Sequence, residues 1–203
     1  MKENELTFLS LAQIDELLKQ LAASRNPHAT MVSRLALSTG ARWSEANDLL
    51  KTQIQGNRIQ FARTKSGKAR ALPISAELRA ELDQHMTANP TGNERVFEPC
   101  YSAFITALER TSIVLPDGQA SHVLRHSFAS HFMMRGGNIL ALQRALGHSS
   151  LAMTMRYAHL SPDHMEEVVR LNPLAPKTRQ GWSDAAANLV EKDSESSQDQ
   201  QSP

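Results

Sequence analysis

The chain carries a single cysteine, Cys100, which excludes an intrachain disulfide and a zinc site built on cysteine. Aromatic residues make up only 5% of it, which disfavours a sandwich packed on rings and fits a mostly helical body. No apolar run approaches the roughly 18 residues that a membrane span needs. The opening stretch, MKENELTFLS, has no apolar core of an export signal. These absences predict a soluble cytoplasmic protein with no membrane partner. Its 203 residues suit one large domain or two small ones with a real core. Local absences say more than the net charge of +1. No acid falls between Asp48 and Glu77, where Lys51, Arg58, Arg63, Lys65, Lys68 and Arg70 stand. None falls between Asp117 and Asp163, which enclose Arg125, Arg135, Arg144, Arg156, His122, His126, His131, His148 and His159. Two acid-free windows predict a basic face able to meet a polyanion, unless the clustering is chance on a solvated surface.

What is present reads as a chain of short helices interrupted by one small sheet. Ser10 and Gln13 form a capping box, and Ile14, Leu17, Leu18 and Leu21 then share a face. Pro27 opens a second helix, with Met31, Leu35 and Leu37, that Gly40 stops. A third starts near Ser44, leaving Arg42 in the turn between. From Asn57 to Leu72, Ile59 and Phe61 alternate with polar residues around Ser66-Gly67, predicting a hairpin or three-stranded meander with Lys65 at its turn. Helices are expected from Ser75, over Tyr101–Thr111, Ser121–Arg135 and Ile139–Leu146, and over Ser149–Tyr157. A last amphipathic helix is expected from Ser161-Pro162, with Met165, Val168 and Val169 on one side. Phe128, Phe132, Met133, Met153 and Met155 read as core; His126, His131 and His159 read as structural or surface residues. The tail EKDSESSQDQQSP is polar and of low complexity. The fold class is mainly α with a small antiparallel sheet.

Phosphodiester cleavage without a metal needs an in-line nucleophile, fixed positive charge for the phosphoryl oxygens, and an acid for the leaving oxygen. Five segments hold such parts. Thr39-Gly40-Ala41-Arg42-Trp43-Ser44-Glu45-Ala46 offers an arginine at a turn with a carboxylate three residues on to hold it. Arg63-Thr64-Lys65-Ser66-Gly67-Lys68 offers a lysine at a hairpin turn. His122-Val123-Leu124-Arg125-His126 opens a helix with His122 and Arg125 on one face. Leu146-Gly147-His148-Ser149 and Thr154-Met155-Arg156-Tyr157-Ala158-His159 complete the set. Each is unremarkable alone. The pair His122 and His126 at i and i+4 would be half of a zinc site, but the intervening glutamate and a third ligand are missing, so no metal is expected.

TGARWSEA, HVLRHSFASH, LGHSS and MRYAH, in this order, resemble the catalytic domain of tyrosine recombinases, the temperate-phage integrases in particular, over about Leu6 to Leu174. The resemblance implies a site-specific recombinase that cuts and rejoins double-stranded DNA through a 3′-phosphotyrosine, with neither metal nor nucleotide cofactor. It makes Tyr157 the nucleophile, Arg42 and Arg125 the phosphate clamp, Lys65 the acid for the 5′-oxygen, His122 an aid to proton movement and His148 a hydrogen-bond donor to the phosphate. Glu45 takes the supporting acidic position, and Arg63, Lys68 and Arg70 are expected on DNA. The setting implied is the cytoplasm of a bacterial host. Residues 1–176 would form the catalytic domain with a C-terminal helix that docks on a neighbouring subunit in a homo-oligomer. Residues 177–203 would be a tail, largely disordered from about 191. The DNA-binding domain that precedes this one in full-length members is expected to be absent, since the first helix begins within ten residues. Two alternatives keep the fold: an accessory protein that binds DNA without turnover, and a relaxing topoisomerase or resolving recombinase with the same tyrosine chemistry.

Overall fold

The computed structural model describes residues 7–61, 69–163 and 165–174. The chain divides after Pro162 into two compact units. In the first, α1 (Leu11–Ala22) starts at the capping box: Ser10 Oγ accepts from Gln13 N–H, and the Gln13 side chain accepts from Ser10 N–H. α2 (Pro27–Thr39) is capped by the Asn26 side chain and ends on Gly40 in the left-handed region. It buries His28, Ala29, Met31, Val32, Ser33, Leu35, Ala36 and Thr39, so it is covered on most sides. Its buried hydroxyls are satisfied within the helix, Ser33 on the Ala29 carbonyl and Thr39 on that of Leu35. Around α2 pack α1, α3 (Trp43–Asn47), α5 (Tyr101–Glu109) and α6 (Ala120–Met134). Trp43 lies 4.6 Å, ring to ring, from Phe104 of α5, which fixes the short α3 against the body.

The sheet is the expected meander. β1 (Ile54–Gln55), β2 (Arg58–Phe61) and β3 (Arg70–Pro73) are antiparallel in that order, with Ile59 opposite Leu72 and Phe61 opposite Arg70. Ile59 and Phe61 point inward, as the period-two pattern requires. α4 (Ala76–Ala88), capped by Ser75, buries Leu78 and Leu82. α7 (Ile139–Leu146) runs from an Asn138 cap to Gly147, again left-handed. Cys100 is buried against Asn47, and burial pushes its thiol up to about 12, so it is inert.

Two expectations about the end of this unit fail. The helix expected over Ser149–Tyr157 is one turn, α8 (Ala152–Met155), followed by a 3₁₀ turn at Ala158–Leu160. There the backbone bonds tighten: Tyr157 N–H donates to Thr154 O and Leu160 N–H to Tyr157 O. Met153 and Met155 are about half exposed and not core; a one-turn helix has no second face to bury them. Met133 is buried, and Phe128 and Phe132 pack beside it. The second unit contains α9 (Glu166–Leu171), which begins later than Ser161-Pro162 because Asp163 takes Met165 N–H in a turn first. The tail beyond residue 174 and the segment 62–68, with the expected Ser66-Gly67 turn, lie outside the described residues. Among the described residues no helix is long and apolar enough to cross a membrane.

Candidate active site

Arg125 ties the site together. It sits on α6, only 6% exposed, and its guanidinium donates to two carbonyls far apart in sequence, Gly40 O at 2.8 Å and Leu146 O at 2.6 Å. Those are the last-turn ends of α2 and α7, and each lies two residues before a predicted site residue, Arg42 and His148. One side chain therefore pins both turns. Two of its five N–H groups are spent on this, leaving three for a ligand. Burial first, then repulsion from Arg42 and Arg70, lowers its pKa to about 10, which keeps it charged at neutral pH.

Gly40 makes the approach possible. Its φ is +66°, and a Cβ there would collide with the Phe128 ring. Arg42 follows as the residue before α3, in extended conformation. Its N–H and its Nη1 both donate to Glu45, at 2.8 and 3.0 Å, and its side chain remains about one-third exposed. Glu45 also takes both ends of Arg70, at 3.0 and 2.7 Å. Burial alone would raise the Glu45 carboxyl, but the hydrogen bonds and charges of Arg70 and Arg42 outweigh it and hold the group down to about 2.

Arg70 corrects an expectation. It does not stand open for DNA: its side chain is 7% exposed, it lies over the Phe61 ring at 4.8 Å, and Gly147 leaves room for its guanidinium. It positions Glu45, and through it Arg42. Arg63, Lys65 and Lys68, between β2 and β3, lie outside the described residues.

His148 follows Gly147, and its Nδ1 is 2.8 Å from the hydroxyl of the buried Thr154. Burial, then Arg125 and Arg42, lower its pKa to about 4, so it is neutral. If Thr154 donates to Nδ1, the proton is on Nε2 and points away as a donor. His122 is exposed near the start of α6, its ring 6.2 Å from that of His126. Tyr157 is 2% exposed, in a second core cluster with Ala129, Met133, Leu142 and Leu146. Its hydroxyl lies 2.6 Å from His126 Nδ1. His126, read from the sequence as structural or surface, is thus the group on the predicted nucleophile. Spacing gives no hint of it, because the two are 31 residues apart and meet only once α6 packs on the 3₁₀ turn. His131 is structural, bonded to Leu9 O, and His159 is exposed. Among the described residues no group of three His, Cys, Asp or Glu side chains is placed to hold a metal.

A buried arginine bridging two turns, a second arginine clamped by a carboxylate, a neutral histidine and a buried tyrosine form an arrangement for phosphoryl chemistry on a mainly helical domain. The chain belongs to the phage integrase family, whose sequence model matches residues 7–164. It is 51% identical over 173 residues to the integrase of Escherichia phage 186, covering 85% of this chain and 50% of that protein. It is 49% identical over 174 residues to the integrase of Haemophilus phage HP1, covering 86% of this chain and 50% of that protein. The chain thus spans about half the length of these relatives. The solved catalytic domain of bacteriophage HP1 integrase superposes with a TM-score of 0.78 at 48% identity, covering 86% of this chain and 99% of that one. The XerH site-specific recombinase, solved bound to its difH substrate, shares the fold at 20% identity and a TM-score of 0.61, over 83% of this chain and 55% of that one.

Proposed function

We propose that this chain is the strand-cleaving and rejoining part of a phage-type integrase acting on double-stranded DNA, with Tyr157 as its nucleophile. The observation that carries this reading is the pair of hydrogen bonds from Arg125 to Gly40 O and Leu146 O, together with the Tyr157 hydroxyl held on His126, the next residue of α6. Tyr157 Oη attacks phosphorus, the bond to the 5′-oxygen breaks, and a 3′-phosphotyrosine and a free 5′-hydroxyl result. Lys65 gives the leaving oxygen its proton, and His122 assists proton movement by taking up the proton that Tyr157 loses as it attacks. Arg42 and Arg125 hold the non-bridging oxygens, a task suited to the planar fork of arginine. His148 donates from Nε2. The 5′-hydroxyl of a partner strand then reverses the step and returns the proton. Arg63 and Lys68 contact the DNA backbone, and Glu45 and Arg70 keep Arg42 in place. The segment after Pro162 docks on a neighbouring copy, so that paired sites work together in the host cytoplasm.

A nicked suicide substrate, from which the cleaved fragment diffuses away, tests the reading. The full chain should give a denaturant-stable protein–DNA adduct. Tyr157→Phe removes one oxygen and should abolish the adduct while DNA affinity stays within about twofold. An adduct from the Phe variant would mean that another residue attacks.

A further inference from the structure

Resting on that reading, we infer that His126 is the positioning residue for Tyr157, accepting the phenolic hydrogen on Nδ1 and so fixing how the hydroxyl faces its target. A buried phenol needs a partner for its O–H, and Tyr157 lies among Ala129, Leu142 and Leu146, whose side chains have no acceptor, and Met133, whose thioether is only a weak one. The Oη–Nδ1 separation is 2.6 Å, short for such a bond. His126 follows Arg125 on α6, so the element that supplies the phosphate clamp also holds the hydroxyl. The rings lie 6.1 Å apart and tilted by 41°, so the contact is through the polar edge and not a stack.

The consequence is directional. A phenol has one hydrogen and attacks through an oxygen lone pair. With the hydrogen committed to Nδ1, the lone pairs face elsewhere, and the O–H bond is polarised toward the oxygen. Nδ1 must be unprotonated to accept. Burial, and then the charges of Arg156, His122 and Arg125, push the His126 pKa down to about 4, so the ring is neutral at physiological pH. Burial also raises the Tyr157 phenol, so the hydroxyl holds its proton until attack. A base so much weaker than the phenolate does not deprotonate Tyr157 beforehand; it orients it.

The test uses the full chain and the suicide substrate, reading single-turnover adduct formation and DNA affinity separately. His126→Leu removes the acceptor. His126→Asn puts an amide oxygen the same number of bonds from Cβ as Nδ1, and His126→Gln puts it one bond further. The Leu and Gln variants should form the adduct roughly 30- to 100-fold more slowly, as misplacement of a reacting group allows. The Asn variant should stay within about fivefold of the parent, and DNA affinity should stay within about twofold for all three. Equal rates for Asn and Leu would show that ring packing matters and not the acceptor atom, overturning the inference. So would a folded Leu variant that cleaves at the parental rate. If the Leu variant does not fold, the Asn and Gln pair decides, and equal rates there overturn it too. A parental chain that forms no adduct removes the nucleophile assignment itself, and with it any group for His126 to position.

Discussion

At the scale of residues, Glu45 is shared by two guanidinium groups of different character. Arg42 is partly exposed and available to a ligand, whereas Arg70 is enclosed and bonds the carboxylate with both ends. Removing one partner of a buried pair costs about 3–5 kcal/mol, because a desolvated charge is left without its counter-charge. Arg70→Met should therefore destabilise the fold by roughly 3 kcal/mol and slow cleavage, since Glu45 would swing to Arg42 alone. Arg34→Ala, in the half-exposed pair with Glu81, should cost under about 1 kcal/mol. Urea unfolding of the two variants checks the contrast, and equal losses would show that Arg70 is not a buried partner. Sequence reading singles out Arg42, Glu45 and Tyr157 because their motifs carry them, and the structure gives Arg42 and Glu45 a shared hydrogen-bonded pair and Tyr157 a buried place. It reads Arg70 as open to DNA and gives no sign of the contact between His126 and Tyr157, because enclosure and pairings between distant segments are not written in local spacing. A basic residue in an acid-free window looks the same whether it faces DNA or a carboxylate inside.

At the scale of elements, local punctuation marked most boundaries. Ser10, Asn26, Ser75 and Asn138 cap helices with their own side chains, and Gly40 and Gly147 end α2 and α7. Such signals lie within a few residues and need no tertiary partner. The boundaries that failed, α8 and α9, are those where a side-chain bond or a tightened turn overrides the helical pattern. α9 still has the composition expected of a docking element. Glu166 and Glu167 lie in its first turn and Arg170 in its last, and Met165, Val168, Val169 and Leu171 are all more than 60% exposed. Truncation after Pro162, where the first compact unit ends, should leave a folded domain that has lost self-association and paired cleavage. Light scattering beside circular dichroism measures this. A full chain that stays monomeric at high concentration, with and without DNA, would refute the docking role.

At the scale of the whole molecule, acid should unfold this protein through its histidines before its carboxylates. Burial, then neighbouring arginines, hold His126 and His148 at about 4, against 6.5 for the free group. The His28 and His85 rings, 2.9 Å apart between Nδ1 and Nε2, are lowered by burial as well, with Glu98 partly opposing this at His28. In each case the folded pKa lies below the unfolded one, so the unfolded chain binds more protons at intermediate pH. The stability from these neutral rings is complete above about 6.5 and is lost as pH falls toward 4. Glu45 adds a second phase, from its ordinary 4.5 down to about 2, as its bonds to Arg70 and Arg42 are protonated away. The urea midpoint should therefore be level from pH 8 to 7, fall between 6.5 and 4, and fall again below that. His148→Gln removes one of these four lowered rings without adding a charge, so its midpoint should decline less steeply over the first interval. A midpoint that holds steady from pH 7 to 4.5 would mean these rings take up protons in the folded state at no cost, and that the site is wetter than its geometry requires.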